Sequence, residues 1–166
     1  MLDNKFKYLV NYINSNLIEK KLRECPNREK DINKNYYNYM PVHETYKKWI
    51  LQIDLHYFKY KEKIFCIGFQ YQDETCKLNC GKIPYNTSKP NEINNFIDIF
   101  YKNAPIDYRI NLPKTRAYVS MSKKYKGIDN LSDEEFSKIV FSKLIEIINI
   151  TNKLKNIFNQ NGCEFF

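Results

Sequence analysis

The sequence predicts an α+β protein, an antiparallel sheet packed against an N-terminal, a middle and a long C-terminal helix. Three patterns predict it. Residues 48–72 hold two runs of alternating apolar and polar residues around a charged middle, the signature of a hairpin with one buried face. Residues 115–122, "TRAYVSMS", alternate in the same way. Around these stretches, apolar residues recur at helical spacing.

The first element is a helix over residues 3–24. Phe6, Leu9, Val10, Ile13, Leu17 and Ile18 fall on one face, and Pro26 stops it. Residues 25–44 are polar and rich in tyrosine, and read as a long loop. Tyr36, Tyr37 and Tyr39 are its candidate partner-binding residues. The hairpin follows. Its apolar residues are odd-numbered on both strands: Trp49, Leu51, Ile53, Leu55 and Tyr57, then Phe65, Ile67, Phe69 and Tyr71. Cross-strand partners share a face, and a two-residue turn at Lys61-Glu62 pairs odd with even. The expected connection is therefore a three- or five-residue loop centred on Lys61. It would pair Tyr57 with Phe65, Leu55 with Ile67, Ile53 with Phe69 and Leu51 with Tyr71.

A short third strand is expected around residues 77–83. The stretch "SKPNEINNFIDIFYKN" starts a helix with a stripe of Ile93, Phe96, Ile97 and Phe100. "APIDYRINLPK" reads as a proline-punctuated connector. In the strand at 115–122, Ala117, Val119 and Met121 oppose Arg116, Tyr118 and Ser120. "LSDEEF" is a capping box, with Ser132 as the cap and Glu135 three residues on. From there to Gln160 one helix is expected, about 40 Å long at 1.5 Å per residue. Its apolar positions include Phe136, Val140, Leu144, Ile147, Ile148, Leu154 and Phe158. The ending "NGCEFF" leaves Phe165 and Phe166 to pack back on the domain or to anchor a partner.

The totals bound the function. The 166 residues suit one domain, and the hydrophobic fraction of 43% is enough for a core without disulfides or metal. No apolar run nears the length of a membrane span, and the N-terminus has no signal-peptide pattern. A cytoplasmic protein without membrane contact is expected. Cys25, Cys66, Cys76, Cys80 and Cys163 are then expected to be reduced thiols. The net charge of +8 favours an anionic partner. A chain this rich in Lys, Asn, Ile and Tyr, residues of A- and T-rich codons, weakens that inference. The glycines at 68, 81, 127 and 162 are too dispersed for a phosphate-binding loop or a dinucleotide fingerprint. Neither G-x-S-x-G nor H-E-x-x-H occurs.

Four constellations remain. On the polar hairpin face the expected register sets His56 opposite Cys66, Asp54 opposite Gly68 and Gln52 opposite Gln70. A thiolate at Cys66 activated by His56, with Asp54 orienting the ring, would be a nucleophilic site. Asp54 and Gln70 also lie where a restriction-type nuclease places metal ligands. The lysine such chemistry needs two residues on is absent, since position 72 is Gln72. Cys76 and Cys80 form at most half a zinc site, and no metal or other cofactor is expected. The strongest pattern is "RINLPKTRAYVSMSKKYK", residues 109–126. It holds Arg109, Lys114, Arg116, Lys123, Lys124 and Lys126 and no acid, interleaved with Tyr118 and Tyr125 and preceded by Tyr108. Basic groups neutralise phosphates and aromatic faces stack on bases.

The expectation is a small basic binding protein rather than an enzyme. Its expected partner is nucleic acid or a nucleoprotein complex, with host–phage conflict as a setting for that role. The alternatives are a protein-only inhibitor of the immunity type, and a small nuclease or hydrolase using Asp54, His56, Cys66 and Gln70.

Overall fold

The computed structural model describes residues 4–27, 32, 35–40, 51–83, 90–112 and 118–166. They form an α+β fold. Helix α1 (Asn4–Asn16) leads into strands β1 (Lys21–Glu24), β2 (Tyr36–Met40), β3 (Leu51–Tyr60), β4 (Lys63–Gln72) and β5 (Thr75–Lys82). Then come α2 (Asn94–Asn103), β6 (Arg109–Asn111), β7 (Tyr118–Lys124), α3 (Asp133–Gln160) and β8 (Glu164–Phe165). The sheet order is β1-β2-β3-β4-β5-β7-β6, with β8 also paired to β3. Among the described strands only the β1–β2 pair is parallel.

The first helix is shorter than its apolar periodicity predicts. The Asn14 side chain accepts a hydrogen bond from the Leu22 N–H at 2.7 Å, and Lys21 Nζ donates to the carbonyls of Asn14 and Leu17 at 2.6 and 2.8 Å. Asparagine's short amide competes with the helical ladder. The chain turns, Leu22 enters the core from β1, and Ile18 is left 95% exposed. Residues 25–44 are likewise not one loop. Tyr36, Tyr37 and Tyr39 lie in β2, with Tyr37 in the core and Tyr39 opposite Ile53. Tyrosine suits a half-buried pleated surface, which overrides the polar composition of this stretch.

The hairpin corrects the expected turn. Tyr60 pairs with Lys63, so Lys61 and Glu62 alone make the connection, with φ of 45° and 61°. This is the left-handed pair a primed turn requires. Leu51↔Tyr71, Ile53↔Phe69 and Asp54↔Gly68 follow the expected register, but beyond them the partners are His56↔Ile67, Tyr57↔Cys66 and Phe58↔Phe65. A bulge at Leu55 takes up one residue and reverses the parity of the rest of the strand. The tight turn and the apolar match therefore coexist. Phe58 faces the core in place of Tyr57.

All three helices cover one face of the sheet. Phe6, Leu9 and Ile13 of α1, Phe96 and Phe100 of α2, and Phe136, Val140, Leu144, Ile147, Leu154 and Phe158 of α3 join the core with Ile53, Phe58, Phe65, Ile67 and Phe69. The cap on α3 forms as its sequence predicts: Ser132 Oγ accepts from the Glu135 N–H at 3.2 Å and donates to Glu135 Oε2 at 2.9 Å. The expected third strand is present as β5. The expected connector at 104–114 contains β6, which pairs with β7. The first residues of the strand expected at 115–122 lie outside the described residues, as do Trp49 and Ile50. Phe165 packs back, its ring 5.1 Å from that of Phe58. Among the described residues, no helix is long and apolar enough to cross a membrane.

Candidate functional site

The register assigns every described strand residue to one of two faces, and the face that carries no helix among the described residues is polar across most of its width. Its middle is closed. Arg23 donates to Asn38 Oδ1 at 3.0 Å, Asn38 Nδ2 to the Tyr57 hydroxyl at 3.0 Å, and that hydroxyl to Asp54 Oδ2 at 2.6 Å. Gln52 Nε2 donates to Asp54 Oδ1 and to Asn79 Oδ1, both at 3.4 Å, and Asn79 returns a hydrogen bond to Gln52 Oε1 at 3.0 Å. Gln52 and Asn79 belong to β3 and β5, with β4 between them. They meet because β4 carries Gly68 there. A Cβ on Gly68 would lie 2.4 Å from Gln52 Nε2. Asp54 is 2% exposed and Asn79 1%. Burial, reinforced by the charge of Asp54, pushes the Tyr57 hydroxyl far above its ordinary pKa. Tyr57 stays a proton donor, and this half of the face is a connected buried network in which the Arg23 Nε meets no acceptor among the described residues.

The facing His56–Cys66 pair does not form. The bulge at Leu55 turns His56 to the helix side, where its ring meets Phe165 edge-on at 5.9 Å. Burial, then the charges of Lys155 and Lys20, lowers the His56 pKa to about 4. Cys66 stays on the opposite face beside Tyr57, fully buried, with its thiol directed at the Ile67 carbonyl at 3.5 Å. Asp54, His56 and Cys66 therefore do not converge. Gln70 sits next to Gly68's side of the face but pairs with Gln52, one register step from Asp54. Cys76 and Cys80 face the helices from within β5. Burial pushes the Cys76 thiol up to about 12 and that of Cys80 well above its ordinary value. Among the described residues, no three His, Cys, Asp or Glu side chains gather as metal ligands.

The far half of the polar face is partly exposed among the described residues, with Ser120 and Ser122 of β7 buried. Here lie Gln70 and Gln72 of β4, Lys77 of β5, Tyr118 and Lys124 of β7, and Arg109 and Asn111 of β6. Arg109 and Lys124 are exposed, and the others are half-buried. Asn111 Nδ2 donates to Ser122 Oγ at 2.9 Å. Gln70 Oε1 is buried without a donor, and a buried acceptor left unmade is costly. Lys124 Nζ is 3.9 Å from Glu74 at the rim.

The basic segment therefore divides between two faces. Arg109, Tyr118 and Lys124 join the partly exposed polar half. Lys123 points to the helix side, ion-paired with Asp107 and 5.5 Å above the Tyr125 ring. Its charge is neutralised by an acid from outside the acid-free stretch. Tyr125 lies between Lys123 and Lys143, and burial pushes its hydroxyl up to about 12. Lys126 is exposed beyond the strand end. Lys114 and Arg116 lie outside the described residues. Of the three tyrosines expected to bind a partner from a loop, only Tyr36 is exposed, stacked under Arg23 at 5.5 Å.

Lys77 was not among the binding residues expected from the sequence. The signal was present: in "TCKLNCGK", Thr75, Lys77 and Asn79 alternate with Cys76, Leu78 and Cys80. No family model matches this chain, and neither curated proteins nor solved structures give a significant match.

Proposed function

We propose that this protein binds nucleic acid, or a nucleoprotein complex, through the partly exposed half of its polar sheet face. One observation carries the reading. Amides, a tyrosine and the cations Lys77, Arg109 and Lys124 lie side by side there, and among the described residues the one carboxylate central to the face, Asp54, is sealed in the other half. Cations neutralise phosphates, amides hydrogen-bond to base edges, and Tyr118 offers a ring for stacking.

The test is binding of labelled single- and double-stranded DNA and RNA across a salt series with Mg²⁺ present. The triple variant Lys77→Ala, Arg109→Ala, Lys124→Ala should weaken binding on all sequences. Each lost phosphate contact should flatten the log–log salt slope by about 0.7–0.9. Lys123→Ala, whose charge is held by Asp107, should change little. No binding to any nucleic acid would reject the reading and favour a protein partner. Cleavage would mean an enzyme rather than a binder.

A further inference from the structure

β3 has one edge shared by two strands. β2 pairs with Gln52–Asp54, and β8 pairs with Phe58 and Lys59. Between them, at the bulge, a cavity of about 100 Å³ opens, lined by Lys20, Ile32, Leu55, His56, Tyr57, Lys155 and Phe166. We propose that this cavity binds a phosphate monoester through Lys20, Lys155 and His56. This goes beyond the nucleic-acid reading and does not depend on it.

The two ammonium groups come from segments far apart in sequence and are held by aromatic rings, Lys20 over Tyr37 and Lys155 over Phe165, each at 5.2 Å. Neither makes an ion pair with a carboxylate among the described residues. Glu19 is the acid whose charge reaches Lys20, and Asn152 hydrogen-bonds to His56. Like charges thus face each other in a small, partly enclosed space, where salt screens weakly. Burial and the neighbouring Lys155 lower the Lys20 pKa. An anion reverses that repulsion. A phosphate monoester carries about −1.5 to −2 charges near pH 7 and three acceptor oxygens. Two ammonium groups match that charge, and protonation of His56 adds a third charge-assisted donor. A carboxylate or a halide matches only one of the lysines.

The experiment titrates the full chain with inorganic phosphate at constant ionic strength, with chloride as the control. The histidine ring signals are followed by NMR and assigned with His56→Gln. Saturable binding should appear, and the His56 pKa should rise from about 4 as phosphate binds. Lys20→Gln with Lys155→Gln should weaken binding about tenfold or more. Far-UV circular dichroism checks that this variant folds. A linear response, an equal response to chloride, or a His56 pKa unmoved by phosphate in the unmodified protein would overturn the proposal. A second arm compares 5′-phosphorylated with 5′-hydroxyl oligonucleotides. A preference for the phosphorylated strand that the double variant loses assigns the phosphate to a nucleic-acid end. Saturable phosphate binding without that preference assigns it to a free phosphate monoester. Because the first arm contains no nucleic acid, its failure is separable from failure of the sheet-face reading.

Discussion

Gly68 owes its place to a side-chain bridge that passes over it. An added methyl would meet Gln52 Nε2 at 2.4 Å, the Ile53 carbonyl at 2.8 Å and Asn79 Oδ1 at 3.0 Å. The Gln52 amide can shift, but the Ile53 carbonyl is backbone held in the ladder. Gly68→Ala should destabilise the fold by about 1–3 kcal/mol, read as a lower urea midpoint, and an unchanged midpoint would show that the strand relaxes freely. At His56 the sign of the pH effect follows from its pKa, lowered from 6.5 to about 4 in the folded chain. Between those values the unfolded chain holds the proton and the folded one does not, so stability is present above pH 6.5 and is lost as pH falls toward 4. The loss should reach roughly 3 kcal/mol at its fullest. The check compares urea midpoints from pH 7 to pH 4 with those of His56→Gln, whose curve should fall less steeply.

Among the elements, the β3–β4 hairpin shows where pattern-based reading succeeds and where it stops. Alternation identified both strands and two of the four expected apolar pairs, Leu51↔Tyr71 and Ile53↔Phe69. Parity alone then rejected a two-residue turn, because it assumes an unbroken ladder. A bulge leaves no mark in composition, and the extra residue at Leu55 satisfies both demands at once. The turn itself is strained, since Lys61 and Glu62 are non-glycine residues at φ of 45° and 61°. Replacing them with Asn-Gly should stabilise the protein by about 1 kcal/mol, seen as a rise in melting temperature, and no rise would mean the unfolded chain already favours this turn. The capping box of α3 was legible because its partners are three residues apart. The early end of α1 was not, because it depends on Asn14 meeting Leu22 across a turn.

For the whole molecule, Phe58 is the point where the parts meet. Its ring lies 5.5 Å from Phe65 of β4, 5.7 Å from Phe96 of α2, 5.4 Å from Phe158 of α3 and 5.1 Å from Phe165 of β8. Phe58→Ala should cost about 3–5 kcal/mol and should increase hydrogen exchange in α2, α3 and β8 together. Faster exchange confined to β3 would show that the cluster does not couple them. The sequence by itself determined the α+β class, the three helices, the hairpin strands, the α3 cap and the basic stretch, because each rests on neighbours or on a local period. Only the tertiary structure decided that His56 and Cys66 lie on opposite faces, that Asp107 neutralises Lys123, and that Lys20, His56 and Lys155 share a cavity. Those outcomes turn on one bulge and on contacts between residues far apart in the chain, which no local period encodes.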